Sequence, residues 1–489
     1  MKLNELLTAS NLAPVLADPE IRSLCYDSRQ AADGCLFFAL PGVNADGARF
    51  ALQAAERGAA AVVAQGAMES PGCPVVVVPD ARAAMADLSA AFFSHPARRL
   101  KCVGVTGTNG KTTTAFLVKH LLDAASLRCG LIGTVKYVIG DEEIVAPRTT
   151  PESVDMQRML AQLLDVGGRS VAMEVSSHAA VQHRARAIAF DAAIFTNLTQ
   201  DHLDYHRSMD AYFEAKAAFL EAAAGQTEKK PRLIINADDR FGQKLVDRFG
   251  KRARVVTFGR GVHADFRASA IRFDGNGATF HLEARKKSYL VRLPLIGLFN
   301  IYNALGALAA ASACGVELRA SVAALASAPQ VPGRLERVPA KRNFQVYVDY
   351  AHTDDALRSV LRTLRELNPS RLITVFGCGG DRDRAKRPLM AAAAEDLSDW
   401  TVLTSDNPRR EDPEAVLDDV QAGLRGKAFD RIADREVAIR HAIDLAGPGD
   451  IVLIAGKGHE NYQEFGDRRI PFDDVAVAGR AVADKRMEI

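Results

Sequence analysis

Short apolar runs alternate with polar turns and amphipathic stretches along all 489 residues. In residues 1 to 97, the runs Cys35-Leu-Phe-Phe-Ala-Leu40 and Val75-Val-Val-Val78 flank an Ala-rich helical pattern, and Pro96-Ala-Arg-Arg-Leu100 has the composition of a linker. From Lys101 the pattern changes: Val103–Val105, Val171–Val175, Ala193–Thr196, Leu233–Ile235 and Val255–Phe258 each have the length and composition of a buried strand, with helical stretches between them. Strand alternating with helix predicts a parallel sheet covered on both faces. A turn signal at Val331-Pro-Gly-Arg334 closes this segment. The rest repeats one unit four times, an apolar strand running into a polar or Gly-rich turn: Val346–Val348 into Asp349-Tyr-Ala-His352, Leu372–Phe376 into Gly377–Asp383, Thr401–Leu403 into Ser405–Asp412, and Ile451–Ile454 into Gly456-Lys-Gly-His-Glu460. Open α/β sheets of this layout bind ligands at the carboxyl ends of their strands. The pattern predicts an α/β protein of three domains, 1–97, 98–333 and 334–489, in keeping with roughly 150 residues per domain.

Composition narrows the function. Hydrophobic residues make up 48% and charged residues 25%, ordinary values for a globular protein. A formal charge of +2, from 62 basic and 60 acidic residues, argues against a general nucleic-acid or acidic-membrane binder. The seven cysteines, Cys25, Cys35, Cys73, Cys102, Cys129, Cys314 and Cys378, form no CxxC pair and are read as reduced thiols. No stretch approaches the roughly 20 apolar residues of a membrane span, and the N-terminus lacks the apolar run of a signal peptide. A cytoplasmic protein is expected.

The strongest chemical signal is Gly107-Thr-Asn-Gly-Lys-Thr-Thr113, between the strand Val103-Gly-Val-Thr106 and a helical pattern from Thr114 to Leu122. Gly107 and Gly110 let backbone N–H groups turn toward an anion, and the helix N-terminus adds partial positive charge. Lys111 can reach terminal phosphates and the Thr112 hydroxyl can ligate Mg²⁺. The general pattern has a glycine five residues before the Gly-Lys pair; Val105 stands there, so the loop is a shortened variant. The bland alternative is a tight strand-to-helix turn.

Three further residues suggest a metal centre. Glu174 ends a predicted strand and His202 follows another, and a carboxylate and an imidazole beside a phosphate loop can hold Mg²⁺ against ATP. Taken singly, Glu174 could be a buried hydrogen-bonding group, and His178 and His206 packing or surface residues. Lys216 has Tyr212, Phe213, Phe219 and Leu220 at helical spacing on its own face, so it projects from an apolar stripe. Burial favours the neutral amine, which can take up CO₂ to form a carbamate and so become an oxygen ligand. The alternative is a lysine that snorkels to solvent.

Together these motifs resemble the Mur ligase family, whose members add amino acids to the UDP-linked peptidoglycan precursor. The resemblance spans essentially the whole chain. It implies a UDP-binding N-terminal domain, a central P-loop ATPase-type domain and a C-terminal Rossmann-like domain. In that family the shortened loop is usual and binds ATP, so Gly107, Thr108, Asn109, Gly110, Lys111, Thr112 and Thr113 are implied nucleotide contacts. Asn303, Arg334, Asp349 and His352 match further positions around the nucleotide. Thr112 and Glu174 are implied magnesium ligands. Lys216 is implied to be carbamylated (N6-carboxylysine) and, with His202, to serve a second magnesium; Lys111, Lys216 and His202 are thus the implied catalytic residues.

For the UDP substrate the resemblance points to Tyr26, Ser28, Val43, Asn44, Ala45, Thr149, Thr150, Ser176, Gln182 and Arg184. Thr149-Thr-Pro-Glu-Ser153 also has the form of a helix start, with Thr150 as cap and Pro151 in the first turn. Asp406-Asn407-Pro408-Arg409 resembles the signature of members that select meso-diaminopimelate over lysine. The chemistry agrees, since diaminopimelate carries a distal carboxylate for which Arg409 offers a forked partner. Arg382, Gly456 and Glu460 match the other contacts to this amino acid, with Glu460 suited to the distal ammonium. Two positions depart from the family: Asp354 stands where proline is frequent, and Arg148 where asparagine is common.

The implied reaction joins an amine of meso-diaminopimelate to the D-Glu γ-carboxylate of UDP-MurNAc-L-Ala-D-Glu through an acyl phosphate, with closure of the domains excluding water; a monomer would suffice. The rivals are a lysine-adding or folylpolyglutamate-type ligase and, from another class, a P-loop kinase or nucleotide-dependent binding protein.

Overall fold

The computed structural model describes residues 1–42, 46–199, 203–340, 342–426 and 428–485. The chain divides into two compact units. The first comprises residues 1–269, 282–289 and 302–324; the second comprises 270–281, 290–301 and 325–489. The expected boundary at residue 97 falls inside the first unit, and that at 333 lies close to where the main part of the second begins.

Two sheets organise the first unit. A four-stranded parallel sheet runs in the order Ser23–Cys25, Cys35–Ala39, Ala59–Gln65 and Val75–Val78. Its core includes Leu36, Phe38, Val63, Met85 and Leu88, and is joined by Val154 from the helix Ser153–Asp165. The central sheet carries the parallel strands Arg254–Gly259, Arg232–Asn236, Ala192–Phe195, Lys101–Thr106, Ser170–Glu174 and Cys129–Ile132 in that spatial order. Apart from the first residue of Lys101–Thr106, its three middle strands are buried at every position. That burial explains why they read as unbroken apolar runs without alternation.

Lys101–Thr106 lies between Ala192–Phe195 and Ser170–Glu174. Register sets Phe195 opposite Thr106 and Glu174 opposite Val105. The loop after Thr106 is therefore flanked by the ends of two neighbouring parallel strands, the position at which open α/β sheets bind ligands.

The second unit holds a six-stranded sheet ordered Glu336–Val338, Gln345–Asp349, Ile451–Ala455, Leu372–Phe376, Trp400–Leu403 and Phe429–Arg431. The first pair is antiparallel and the others are parallel. Its four inner strands are the four repeats expected from the sequence, so their polar turns leave from one edge. The helix Asp354–Arg365 shows how the flanking layer forms: Leu357, Val360, Leu361 and Leu364 bury one stripe, Thr353 caps the start, and Arg362 and Arg365 occupy the last turn. Asp354, where the family often has proline, is the first residue of this helix, a place that suits either proline or a negative charge.

A fully buried ion pair holds the turns of this unit. Arg435 donates from Nε and Nη2 to the two carboxylate oxygens of Asp474 at 2.8 and 2.7 Å. It also donates to the carbonyls of Ser405 and Ala455 at 3.3 and 3.0 Å, the residues just before Asp406 and Gly456. Asp474→Ala would strand a buried guanidinium. It should lower unfolding stability by about 3–5 kcal/mol, measured by urea denaturation; a loss below about 1 kcal/mol would show that the pair behaves like an exposed one.

Candidate active site

The phosphate loop is the first element of the site. Gly107 has φ +145° and Gly110, at the helix N-cap, φ +85°. A Cβ on Gly107 would lie 1.9 Å from Thr196 Oγ1, so only glycine fits this close approach. The loop is pinned to the segment after Ala192–Phe195. Thr108 N–H donates to the Asn197 carbonyl at 2.9 Å, Asn109 N–H to Asn197 Oδ1 at 2.9 Å, and Thr196 Oγ1 to the Asn109 carbonyl at 2.6 Å. Lys111 starts the helix Lys111–Ala124 and folds its amine back onto the carbonyls of Gly107 and Thr108, at 3.0 and 2.8 Å. Thr112 and Thr113 are buried in the first turn. Asn303 is buried with Oδ1 accepting from Thr114 at 3.2 Å, against the Gly110 backbone.

Glu174 is buried, 1% exposed. One carboxylate oxygen accepts the Thr134 N–H at 2.8 Å; the other accepts the hydroxyls of Thr112 and Thr134 at 3.1 and 3.0 Å. A hydroxyl and a carboxylate thus meet at the start of the phosphate-loop helix, a donor set that suits a hard divalent cation also ligated by phosphate oxygens. Among the described residues no group of three His, Cys, Asp or Glu side chains gathers as a metal cluster. Among the described residues the Glu174 carboxylate and the hydroxyls of Thr112 and Thr134 meet at this point. His202, like Val43, Asn44 and Ala45, lies outside the described residues.

Lys216 sits on the helix Met209–Gly225, 1% exposed among Tyr212, Phe213, Phe219 and Leu220. Its amine donates to the Gly107 carbonyl at 2.7 Å and lies 4.5 Å from the Tyr212 ring centre. The snorkelling alternative is thereby excluded: the amine ends at the phosphate loop and not in solvent. His206 is a packing residue, buried, 2.8 Å from Ser177 Oγ and stacked on Tyr212 at 5.0 Å. His178 packs on Tyr205.

A polar cluster adjoins the end of the strand that carries Glu174. Thr150 Oγ1 donates to the Glu174 carbonyl at 2.8 Å and accepts the Ser176 N–H at 3.2 Å. This corrects the capping role expected for Thr150. The helix begins at Ser153 with Glu152 as N-cap, because the Thr150 hydroxyl is committed to the strand end. Thr149 meets Thr134 through their hydroxyls at 3.1 Å. Ser176 caps the short helix Ser177–Val181, and Gln182 accepts from Arg184 at 2.6 Å. Glu152, which the sequence reading passed over, binds three guanidinium groups, those of Arg82, Arg148 and Arg184 at 3.2, 2.6 and 3.0 Å. Arg148 stands four residues before Glu152, but Arg82 and Arg184 are remote along the chain, and no local spacing links them to it. Ser28 donates to Gln53 at 2.6 Å and Tyr26 to Asp155 at 2.5 Å; burial and that carboxylate push the Tyr26 phenol up.

The second unit carries its own constellation. Asp349 accepts the N–H groups of Leu335 and Ala351 at 2.7 and 2.8 Å; burial raises its pKa against the opposing charge of Arg334. Arg334 lies over the Tyr350 ring at 4.9 Å, and His352 is exposed with Nδ1 2.7 Å from the Tyr350 carbonyl. Burial pushes the Tyr350 phenol up to about 12. Gly456 N–H donates to the Asp349 carbonyl at 3.0 Å.

Arg409 donates from Nη1 to the Gly380 carbonyl at 2.7 Å and from Nε to Glu464 at 3.2 Å. Asn407 donates to Glu460 Oε2 at 2.8 Å, and Asp406 accepts the Asn407 N–H at 2.7 Å. Pro408 is buried and its carbonyl accepts the Glu411 N–H. Arg382 is exposed on the neighbouring turn. Beneath that turn, buried Arg387 binds Glu411 in a fork at 2.7 and 2.9 Å and holds its carboxyl down to about 2. Glu464 and Lys457 were missed from the sequence. For Lys457 the signal was present, a charged residue in the Gly-rich turn that follows the strand Ile451–Ala455.

This architecture places the chain by comparison as well as by geometry. Family models for the Mur ligase family catalytic domain, the Mur ligase middle domain and the Mur ligase glutamate ligase domain match residues 20–93, 105–311 and 333–458. The chain belongs to the Mur ligase family. Over 98% of its length and 97% of the relative's, it is 46% identical to a UDP-N-acetylmuramoyl-L-alanyl-D-glutamate–2,6-diaminopimelate ligase of Solibacter usitatus. A ligase of the same name from Geobacillus thermodenitrificans is 47% identical over 96% of each chain. A solved structure bearing that name has a TM-score of 0.74 at 34% identity, over 99% of both chains.

Gly107→Ala should weaken ATP binding by roughly tenfold or more, because the added Cβ forces the loop off Thr196. Isothermal titration calorimetry measures it; wild-type affinity would place the nucleotide elsewhere.

Proposed function

We propose that this chain is an ATP-dependent ligase that joins an amine of meso-diaminopimelate to the γ-carboxylate of the D-glutamate in UDP-MurNAc-L-Ala-D-Glu, a step of peptidoglycan precursor synthesis. Its role would then extend to cell shape, growth and division. Full-length similarity to ligases of that name supports the reading. The single structural observation that carries it is the pair of open valences in the second unit. Among the described residues, no acceptor holds Arg409 Nη2 and no donor reaches Glu460 Oε1. A guanidinium nitrogen and a carboxylate oxygen open in this way suit the distal end of diaminopimelate, which carries both a carboxylate and an ammonium. A lysine substrate would leave Arg409 without its partner, and a kinase would use neither group.

A carboxylate is a poor electrophile, so the reaction runs in two steps. A γ-carboxylate oxygen of the D-glutamate attacks the terminal phosphorus of ATP; the bridging P–O bond breaks, and ADP leaves. The amine nitrogen then attacks the acyl carbon, a tetrahedral intermediate forms, the C–O bond breaks, and phosphate departs as the nitrogen loses its proton. Phosphoryl transfer of this kind needs positioning and charge neutralisation more than covalent help.

Lys111 would exchange its loop carbonyls for phosphate oxygens, while Gly107–Thr113 cradle the rest of the triphosphate. Thr112 and Glu174 would hold one Mg²⁺, and a carbamate on Lys216 together with His202 a second. The ions would neutralise charge on the transferring phosphate. The burial of the Lys216 amine beside Gly107 supports this role, since it puts the side chain's end at the phosphate loop. Tyr26, Ser28, Val43–Ala45, Thr149, Thr150, Ser176, Gln182 and Arg184 would bind the UDP-linked substrate. Arg382, Asp406–Arg409, Gly456 and Glu460 would bind the amino acid, and Asn303, Arg334, Asp349 and His352 the nucleotide. We also propose functional domains at 1–97, 98–333 and 334–489, and a monomer acting in the cytoplasm. No helix among the described residues is long and apolar enough to cross a membrane.

Lys216→Ala should abolish ligation, and acetate or formate should restore part of it by supplying the lost carboxylate; full activity without rescue would remove Lys216 from the metal site. Phosphate release from ATP should require both the UDP-dipeptide and diaminopimelate. In that assay Arg409→Ala should raise the KM for diaminopimelate by about tenfold or more and leave that for ATP within about twofold. An unchanged KM for diaminopimelate would take Arg409 out of the amino-acid pocket.

A further inference from the structure

Lys457 follows the strand Ile451–Ala455 and is 1% exposed, a charged side chain that the two-step reaction does not use. Its amine donates to Asn407 Oδ1 and to Glu460 Oε2, each at 3.0 Å, and lies 5.3 Å from the centre of the Tyr462 ring. Asn407 Oδ1 also receives the Glu464 N–H at 3.1 Å. Two donors on this oxygen fix which way the amide faces, and its Nδ2 is left to point at Glu460 Oε2. Glu460 is consequently held through one oxygen only, by Lys457 and Asn407 together, while Oε1 stays open.

We infer that Lys457 is a positioning and specificity-determining residue for the amino-acid substrate: it orients the Asn407 amide and one edge of the Glu460 carboxylate so that the other edge receives the distal ammonium. The inference rests on the proposed diaminopimelate site and adds a residue to it. The arrangement also explains why a buried cation lies beside a cation-binding carboxylate. A Glu460 side chain without Lys457 would be free to turn both oxygens toward any ammonium or toward Asn407. With Lys457 the carboxylate has a single free edge, and its charge is already partly balanced. A lone cation therefore gains little by approaching, and position decides. Buried ionic groups that act in this way contribute specificity more than stability.

The test is steady-state phosphate release with wild type, Lys457→Met and Lys457→Gln, each checked for folding by its melting temperature. Lys457→Met should raise the KM for diaminopimelate by about tenfold or more while the KM for ATP stays within about twofold. Lys457→Gln, which keeps a donor for Asn407 Oδ1, should recover part of the loss. With 2-aminopimelate, which keeps the chain and both carboxylates but lacks one ammonium, the variants should differ little from wild type in KM or in competitive inhibition. Unchanged KM values for diaminopimelate in both variants would overturn the inference. So would a rise shared equally by diaminopimelate, 2-aminopimelate and ATP, the mark of a merely structural lysine. Wild-type turnover that ignores diaminopimelate would overturn the substrate reading and this inference with it; wild-type dependence on diaminopimelate with indifferent variants overturns the inference alone.

Discussion

The buried carboxylate of Glu174 is the interaction on which the nucleotide side depends. It accepts from Thr112 in the phosphate-loop helix and from Thr134 across the neighbouring turn, while its own carbonyl holds Thr150. One residue thus ties together the loop that would hold phosphate, the point where a metal would be held and the segment that would carry the acyl substrate. Parallel register makes this possible. Glu174 can stand beside the loop only because its strand pairs directly with Lys101–Thr106 and ends level with it. On the other flank, Thr196–Asn197 clamps the loop by the same geometry.

The second unit solves a different problem by related means. Its turns leave one edge of a parallel sheet, and buried cations hold them. Arg435 with Asp474 anchors the residues just before Asp406 and Gly456, Arg387 with Glu411 and Asp419 holds the turn that follows Leu372–Phe376, and Lys457 fixes Asn407 and Glu460. Each pair costs desolvation, and the return is a fixed placement of polar groups. Arg409 illustrates the outcome: its Nε and Nη1 are engaged by Glu464 and Gly380, which fixes where Nη2 lies.

Much of this was legible along the chain. Strands buried on both faces have continuous apolar signatures, so the inner strands of both large sheets were readable. A phosphate loop is a local structure: strand, glycines and helix start lie within a few residues, and Gly107 and Lys111 follow from spacing alone. The errors and omissions arose where a side chain's partner is remote. Thr150 has the local form of a cap, but the end of a distant strand claims its hydroxyl. Lys216 had two readings from its apolar stripe, and the choice depended on whether the stripe's end opened to water or to Gly107. Glu152 gathers Arg148 from four residues away, but also Arg82 and Arg184, which no local pattern connects to it.

By itself, then, the sequence determined the α/β class, the phosphate loop and the strand-end motifs, because each depends on contacts between near neighbours or on the alternation of strand and helix. The tertiary structure alone decided which motifs share a site and what each charged group faces. It set Glu174 against Thr112, buried Lys216 at the loop, and enclosed Lys457 between Asn407 and Glu460. The physical reason is that burial and hydrogen-bond partnership belong to pairs of residues brought together across the fold. The phosphate loop is a property of seven successive residues, but a half-buried carboxylate held by one edge requires strands, turns and a buried cation from several parts of the chain.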